Sequence, residues 1–218
     1  MSVTEPTKEW ELVLAAAKDM LRKGLTEGTA GNISMRLPDG NVVITPSSVD
    51  YEAMTLDDLM IIDPGGEVLE GHRSPSSEKL LHLACYKAFD DVGSVIHSHP
   101  VYATMFAIAH QAIPPCIDEF SIYVGGEVRV TDYAESGSGG VGENAVAALE
   151  GRGAALLANH GMVAVGPNPA KALHITALVE RSAQIVWGAM ALGQIHELPD
   201  SVNKKFKSIY EFLRENPM

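Results

Sequence analysis

Two hairpin signals embedded among helix-forming segments constrain this chain more than any other feature. Asp39-Gly40 lies between strand-like runs at 32–37 and 41–45, and Pro64-Gly65-Gly66 lies between runs at 60–63 and 67–69. An Asp-Gly pair between such runs favours a tight hairpin turn, because the turn needs positive φ at its central residues. Hairpins pair their strands antiparallel, and helices placed between them must cover the faces of the sheet. Helical spacing predicts helices at 8–23, 76–89, 101–109, 142–149, 169–192 and 202–213, with one helical turn at 55–59. In the second of these, Leu80, Leu81, Ala84, Cys85 and Ala88 form the expected apolar face. Apolar runs at 93–99, 127–131, 154–158 and 162–165 predict four more strands. With no repeat and no low-complexity linker to divide it, residues 1–218 read as a single α/β domain. Its sheet is expected to be mixed and largely antiparallel, with helices on both sides.

Composition narrows the function classes. Of 218 residues, 46% are hydrophobic and 20% charged, which is ordinary for a globular chain and excludes disorder as the main state. The formal net charge of −12 argues against a nucleic-acid partner, since a face rich enough in Lys and Arg to grip a phosphodiester backbone is not expected. Cys85 and Cys116 make no disulfide framework and read as buried thiols in a reducing compartment. The stretch 1–11 is polar and acidic, and no apolar run reaches the roughly 20 residues of a membrane span. The expectation is a cytoplasmic protein without a membrane partner.

The chemistry concentrates in short motifs. His97-Ser98-His99 ends an apolar strand, and alternation puts both imidazoles on one face, a common beginning of a divalent metal site. Taken alone, the pair is equally well two polar residues at a strand end. Asn159-His160-Gly161 sits between two buried strands. A lone histidine there is more often a satisfied core residue, but beside a two-histidine site it becomes a third ligand. His72, His82, His110, His174 and His196 lack such context and read as surface or core. Pro75-Ser76-Ser77-Glu78 opens a helix, either as an anion site or as an ordinary capped start. Glu78 becomes a ligand or a base only if that helix start faces the histidines. Thr29-Ala30-Gly31-Asn32-Ile33-Ser34 and Ile44-Thr45-Pro46-Ser47-Ser48 add two more small, polar turns. Together the three turns could cradle one phosphate.

In this order, T-A-G-N-I-S, I-T-P-S-S, P-S-S-E, H-S-H-P and N-H-G resemble the class II aldolase/adducin-like family over nearly the whole chain, from about Leu12 to Tyr210. The pattern is most similar to the branch that cleaves L-fuculose 1-phosphate. The resemblance implies a three-layer αβα fold, assembled as a homotetramer with active sites between neighbours. It implies Zn²⁺ held by His97, His99 and His160, with Glu78 as fourth ligand before substrate binds. Three histidines also accept Mn²⁺, Co²⁺ or Fe²⁺. It implies a substrate-phosphate pocket from Gly31, Asn32, Ser47, Ser48, Ser76 and Ser77. Catalysis would fall to Glu78, and to Tyr210 reaching from a neighbour. The implied reaction is reversible cleavage of a ketose 1-phosphate to dihydroxyacetone phosphate and an aldehyde through a metal-stabilised enediolate. A pentulose-phosphate 4-epimerase, a phosphosugar dehydratase and a decarboxylase are the alternatives on the same scaffold. An adducin-like binding module is a further one, opposed by the intact histidines and Glu78. Three departures stand out. Ser47-Ser48 replaces Thr-Gly, Asp118 falls where the branch has a tyrosine, and the segment 206–210 leading to Tyr210 carries one extra residue.

Overall fold

A computed structural model of the chain describes residues 8–216; most of the polar stretch 1–11 therefore lies outside the described residues. In chain order the elements are α1 (Lys8–Arg22), β1 (Asn32–Arg36), β2 (Val42–Ile44), a 3-10 turn (Leu56–Asp58), β3 (Met60–Ile62), β4 (Val68–Glu70), α2 (Lys79–Ala88), β5 (Ser94–Ser98), α3 (Val101–Ala109), α4 (Asp118–Val124), α5 (Gly139–Leu149), β6 (Ala154–Leu157), β7 (Gly161–Gly166), α6 (Pro169–Leu192) and α7 (Asp200–Glu215). The strands form one sheet in the order β4-β3-β2-β1-β5-β7-β6, and every pairing between them is antiparallel.

Period-two alternation divides the side chains between two buried faces. Val42 and Ile44 of β2, Val95 of β5 and Val163 of β7 pack with Leu81 and Cys85 of α2 and Val141 and Ala145 of α5. Their neighbours Val43 and Ile96 turn the other way, onto Val13 and Ala17 of α1 and Leu173 of α6. Met162 and Ala164 of β7 meet Phe106 of α3, Phe120 of α4 and Val179 of α6 on that same side. Helices on both faces make the architecture a three-layer αβα sandwich. They also explain why the central strands read as continuous apolar runs rather than alternating ones. The long α6 begins where it was expected: Asn168 accepts a hydrogen bond from the Lys171 N–H, and Pro169 occupies the first turn.

Four expectations need correction. The run 127–131 is not a strand. It makes isolated bridges only, Ile113 with Val128 and, parallel, Val130 with Leu156. The helix at 118–124 was missed, although Phe120 and Val124 at i,i+4 and the left-handed Gly125 that ends it are ordinary helix signals. Helix α2 starts at Lys79 rather than Ser76. The segment before it is pinned to the end of β2, where Ser47 N–H donates to Ser74 O (2.9 Å) and Ser76 N–H to Thr45 O (3.2 Å). The buried face of α2 carries Leu81, His82, Cys85 and Tyr86, while Leu80 and Ala88 are turned to solvent.

Candidate metal centre and active site

One end of the sheet gathers every motif. Strands β1 and β5 are antiparallel with Asn32 opposite His97, so the start of β1 lies against the end of β5. Strand β7 begins at Gly161 and pairs Met162 with Ser98, which brings His160 of the β6–β7 hairpin to the same place. Two glycines make the approach possible. Gly31 has φ +76°, and a Cβ there would lie 2.7 Å from the His97 carbonyl oxygen. A Cβ on Gly161 would lie 2.6 Å from the His99 ring.

The three imidazoles close on one another, with ring centroids 4.6–4.9 Å apart. Their ligand nitrogens all fall within 4.8 Å of each other. His97 is fully buried, and its Nδ1 lies 2.9 Å from the Met162 carbonyl. A carbonyl only accepts, so Nδ1 carries the hydrogen and the Nε2 lone pair turns inward. There it meets His99 Nε2 at 2.9 Å and Glu78 Oε2 at 3.1 Å. Glu78 Oε1 is 3.4 Å from His160 Nε2. Burial pushes the His99 imidazole down to about 4 and lowers that of His160 as well, so both present lone pairs near neutral pH. Burial alone would raise the Glu78 carboxyl. The Asn32 amide works against it, and when His97 and His160 carry protons that the metal would displace, their hydrogen bond and charge also hold Glu78 well below the usual carboxylate range. Three imidazoles and a carboxylate converging acceptor to acceptor repel one another unless a cation lies between them. The donor set therefore fits a four-coordinate divalent metal.

The polar turns are brought to this sheet end as well. A Pro46–Pro75 bridge holds the turn carrying Ser47 and Ser48 beside the turn carrying Ser76 and Ser77. Ser48 and Ser77 are exposed, Ser47 is half-buried, and the Ser76 hydroxyl accepts a hydrogen bond from the Glu78 N–H. Gly31 precedes β1, and its carbonyl accepts from the Tyr51 hydroxyl at 2.6 Å. Asn32 is not a free donor. Its Nδ2 donates to Glu78 Oε2 at 2.9 Å, and its Oδ1 lies 2.5 Å from His82 Nε2.

Tyr210 is not brought to the cluster within the chain. It is buried on α7, its hydroxyl accepting from Arg214 at 3.1 Å, and Arg214 is paired with Asp91. Asp91 precedes the first residue of β5, whereas His97 and His99 flank its last residue, Ser98. Asp118 is exposed at the start of α4. Two contributors escaped the motif reading. Ser136 donates to Glu78 Oε1 at 3.0 Å from a Ser-Gly-rich run that offered only a composition signal. His82, assigned no role beyond surface or core, is a fully buried neighbour of Asn32.

Residues 11–187 match the family described as the Class II Aldolase and Adducin N-terminal domain. The chain belongs to the class II aldolase and adducin family. Within it, the chain is 34% identical over 205 residues to the 5-deoxy-D-ribulose 1-phosphate aldolase of Bacillus thuringiensis serovar kurstaki, covering 92% of this chain and 96% of that one. It is 35% identical over 180 residues to the L-fuculose phosphate aldolase of Escherichia coli K12, covering 83% of each. A solved L-fuculose 1-phosphate aldolase superposes with a TM-score of 0.90 at 34% identity, over 97% of this chain and 99% of that one. The chain covers more than four-fifths of each of these relatives. Among the described residues no helix is long and apolar enough to cross a membrane.

Proposed function

We propose that the protein is a metal-dependent aldolase that reversibly cleaves a ketose 1-phosphate to dihydroxyacetone phosphate and an aldehyde. The observation that carries this reading is the Glu78 carboxylate, set between His97 and His160 beside His99. His97, His99 and His160 would hold the ion, best Zn²⁺ for a set of three imidazoles, with Glu78 as the fourth ligand. A cation held there supplies Lewis acidity, polarising the ketose carbonyl and offsetting charge that develops on its oxygen. The rest falls to the chain's own groups. The backbone N–H groups of Gly31, Ser48 and Ser77 and the hydroxyls of Ser47, Ser48, Ser76 and Ser77, with the second N–H of the Asn32 amide, receive the phosphate. Glu78 is the proton carrier. In the condensation direction it takes a proton from the dihydroxyacetone phosphate carbon, and the C–H electron pair stays with the substrate. That carbon then bonds the aldehyde carbon, and the proton passes to the aldehyde oxygen. Cleavage is the reverse. The protein is proposed to work in the cytoplasm as a homotetramer.

The deciding assay follows release of dihydroxyacetone phosphate from L-fuculose 1-phosphate, L-ribulose 1-phosphate and 5-deoxy-D-ribulose 1-phosphate by zinc-loaded protein, with and without chelator. Chelator-sensitive release from any of them is the expected result. No release from protein with bound zinc would overturn the aldolase reading in favour of epimerase, dehydratase or decarboxylase chemistry.

A further inference from the structure

A fully buried histidine stands next to Asn32. His82 stands on α2 one turn beyond Glu78, inside a chain of hydrogen bonds between α2 and β1. The Tyr86 hydroxyl lies 2.7 Å from Ser34 Oγ, Ser34 Oγ 2.6 Å from His82 Nδ1, His82 Nε2 2.5 Å from Asn32 Oδ1, and Asn32 Nδ2 2.9 Å from Glu78 Oε2. His82 and Ser34 are wholly buried and Asn32 and Tyr86 nearly so, which shields these contacts from bulk solvent.

The direction of every link follows from the carboxylate end. A carboxylate oxygen only accepts, so Asn32 turns its amide N–H to Glu78 and its Oδ1 away. That Oδ1 also only accepts, so the hydrogen of His82 sits on Nε2. Burial holds the ring in its neutral form, pushing it down to about 3, which leaves Nδ1 an acceptor. Nδ1 receives the Ser34 O–H, and the Ser34 oxygen receives the Tyr86 O–H. The chain ends on Oε2, the oxygen beside fully buried His97. Its twin Oε1 faces partly exposed His160 and the hydroxyl of Ser136, a residue on an exposed loop.

We infer that His82 is a positioning residue: through Asn32 it anchors Oε2 of Glu78 and leaves Oε1 as the oxygen that exchanges a proton with substrate. The inference rests on the reading of Glu78 as the proton carrier. A histidine that merely fills the core needs neither a fixed tautomer nor an N–H aimed at Asn32, and this difference can be measured.

The first measurement is nitrogen-15 NMR of zinc-loaded protein labelled at histidine. The expected result is a neutral His82 protonated on Nε2; protonation on Nδ1, or on both nitrogens, would overturn the inference. The second compares two variants on the ketose 1-phosphate that the wild type cleaves fastest. His82→Gln can turn an N–H to Asn32 and an oxygen to Ser34, whereas His82→Leu fills similar space with neither. The Leu variant is expected to lose roughly 10- to 100-fold in kcat, as removal of an orienting partner does. Its KM should change by less than about twofold and its zinc content should be retained. The Gln variant should recover most of the loss. Equal loss in both, or no loss in Leu, sinks the positioning role. Should the wild type cleave none of the sugars, the aldolase reading fails by itself, and the tautomer measurement still decides the hydrogen-bond chain.

Discussion

At the scale of single residues, the site depends on which atoms of Glu78 and the histidines are held and by what. His97 is oriented through its far nitrogen by a main-chain carbonyl, and Glu78 by Asn32 on one oxygen and Ser136 on the other. Glu78→Gln keeps the shape but removes the proton acceptor. It should cut kcat by roughly 100- to 10,000-fold, the usual contribution of a positioned general base. Metal content should persist on the three imidazoles, as elemental analysis of the purified variant would reveal; wild-type turnover would exclude Glu78 as the carrier. The metal-type residues were legible in the sequence because each lies in a short motif whose spacing is fixed by strand or turn geometry. Ser136 and His82 were not, since a serine in a glycine-rich run and a histidine in a helix have no local pattern. Their roles exist only through partners about 50 residues away or more.

At the scale of elements, α7 is tied down by polar links at both ends, Asn203 to Ser121 of α4 and Arg214 to Asp91. Arg214 binds Asp91, just before β5 at the end of that strand away from the histidines, and also holds the Tyr210 hydroxyl. Burial works to raise the Asp91 carboxyl, but the hydrogen bond and charge of Arg214 outweigh it and lower it. A carboxyl lowered on folding stabilises above its unfolded value, near pH 4, and that stabilisation is lost as pH falls through the lower folded value. Amide exchange in α7, corrected for intrinsic rates, should therefore accelerate relative to α6 below about pH 4. Arg214→Ala should bring the same acceleration at neutral pH and abolish the acid step. Unchanged protection of α7 in that variant would show that packing on α4 suffices. Most elements were legible because their apolar periodicity agrees with the face they bury. The segment 127–131 misled because its valines satisfy a strand pattern while only two bridges form. Helix α2 was placed too early because Ser76 and Glu78 look like a capped start, whereas long-range bonds to the end of β2 hold them outside the helix.

At the scale of the whole molecule, a bound ion would link segments from both halves of the chain, and its free energy adds to folding. At free metal about 100 times its dissociation constant the gain is about 2.7 kcal/mol. For a chain of this length chelation should then lower Tm by roughly 5–11 °C; an unchanged Tm would mean that no metal was held. The proposed assembly can be tested on α3, which exposes Val101, Met105 and Ile108 along one stripe beginning just after His99-Pro100. Met105→Glu with Ile108→Glu should shift light-scattering mass from tetramer towards monomer, and an unchanged mass would place the contacts elsewhere. Strand order has a consequence for biosynthesis. Strand β5, which carries His97 and leads directly into His99, lies between β1, made before it, and β7, completed only at Gly166. While a ribosome adds the 69 residues that follow His97 up to Gly166, roughly 3–14 s at ordinary elongation rates, one edge of β5 is unpaired, and for most of that interval the third histidine has not been made. A nascent chain thus passes through an interval with a sticky open strand and a two-histidine half-site, when it is most exposed to aggregation and to capture of the wrong metal.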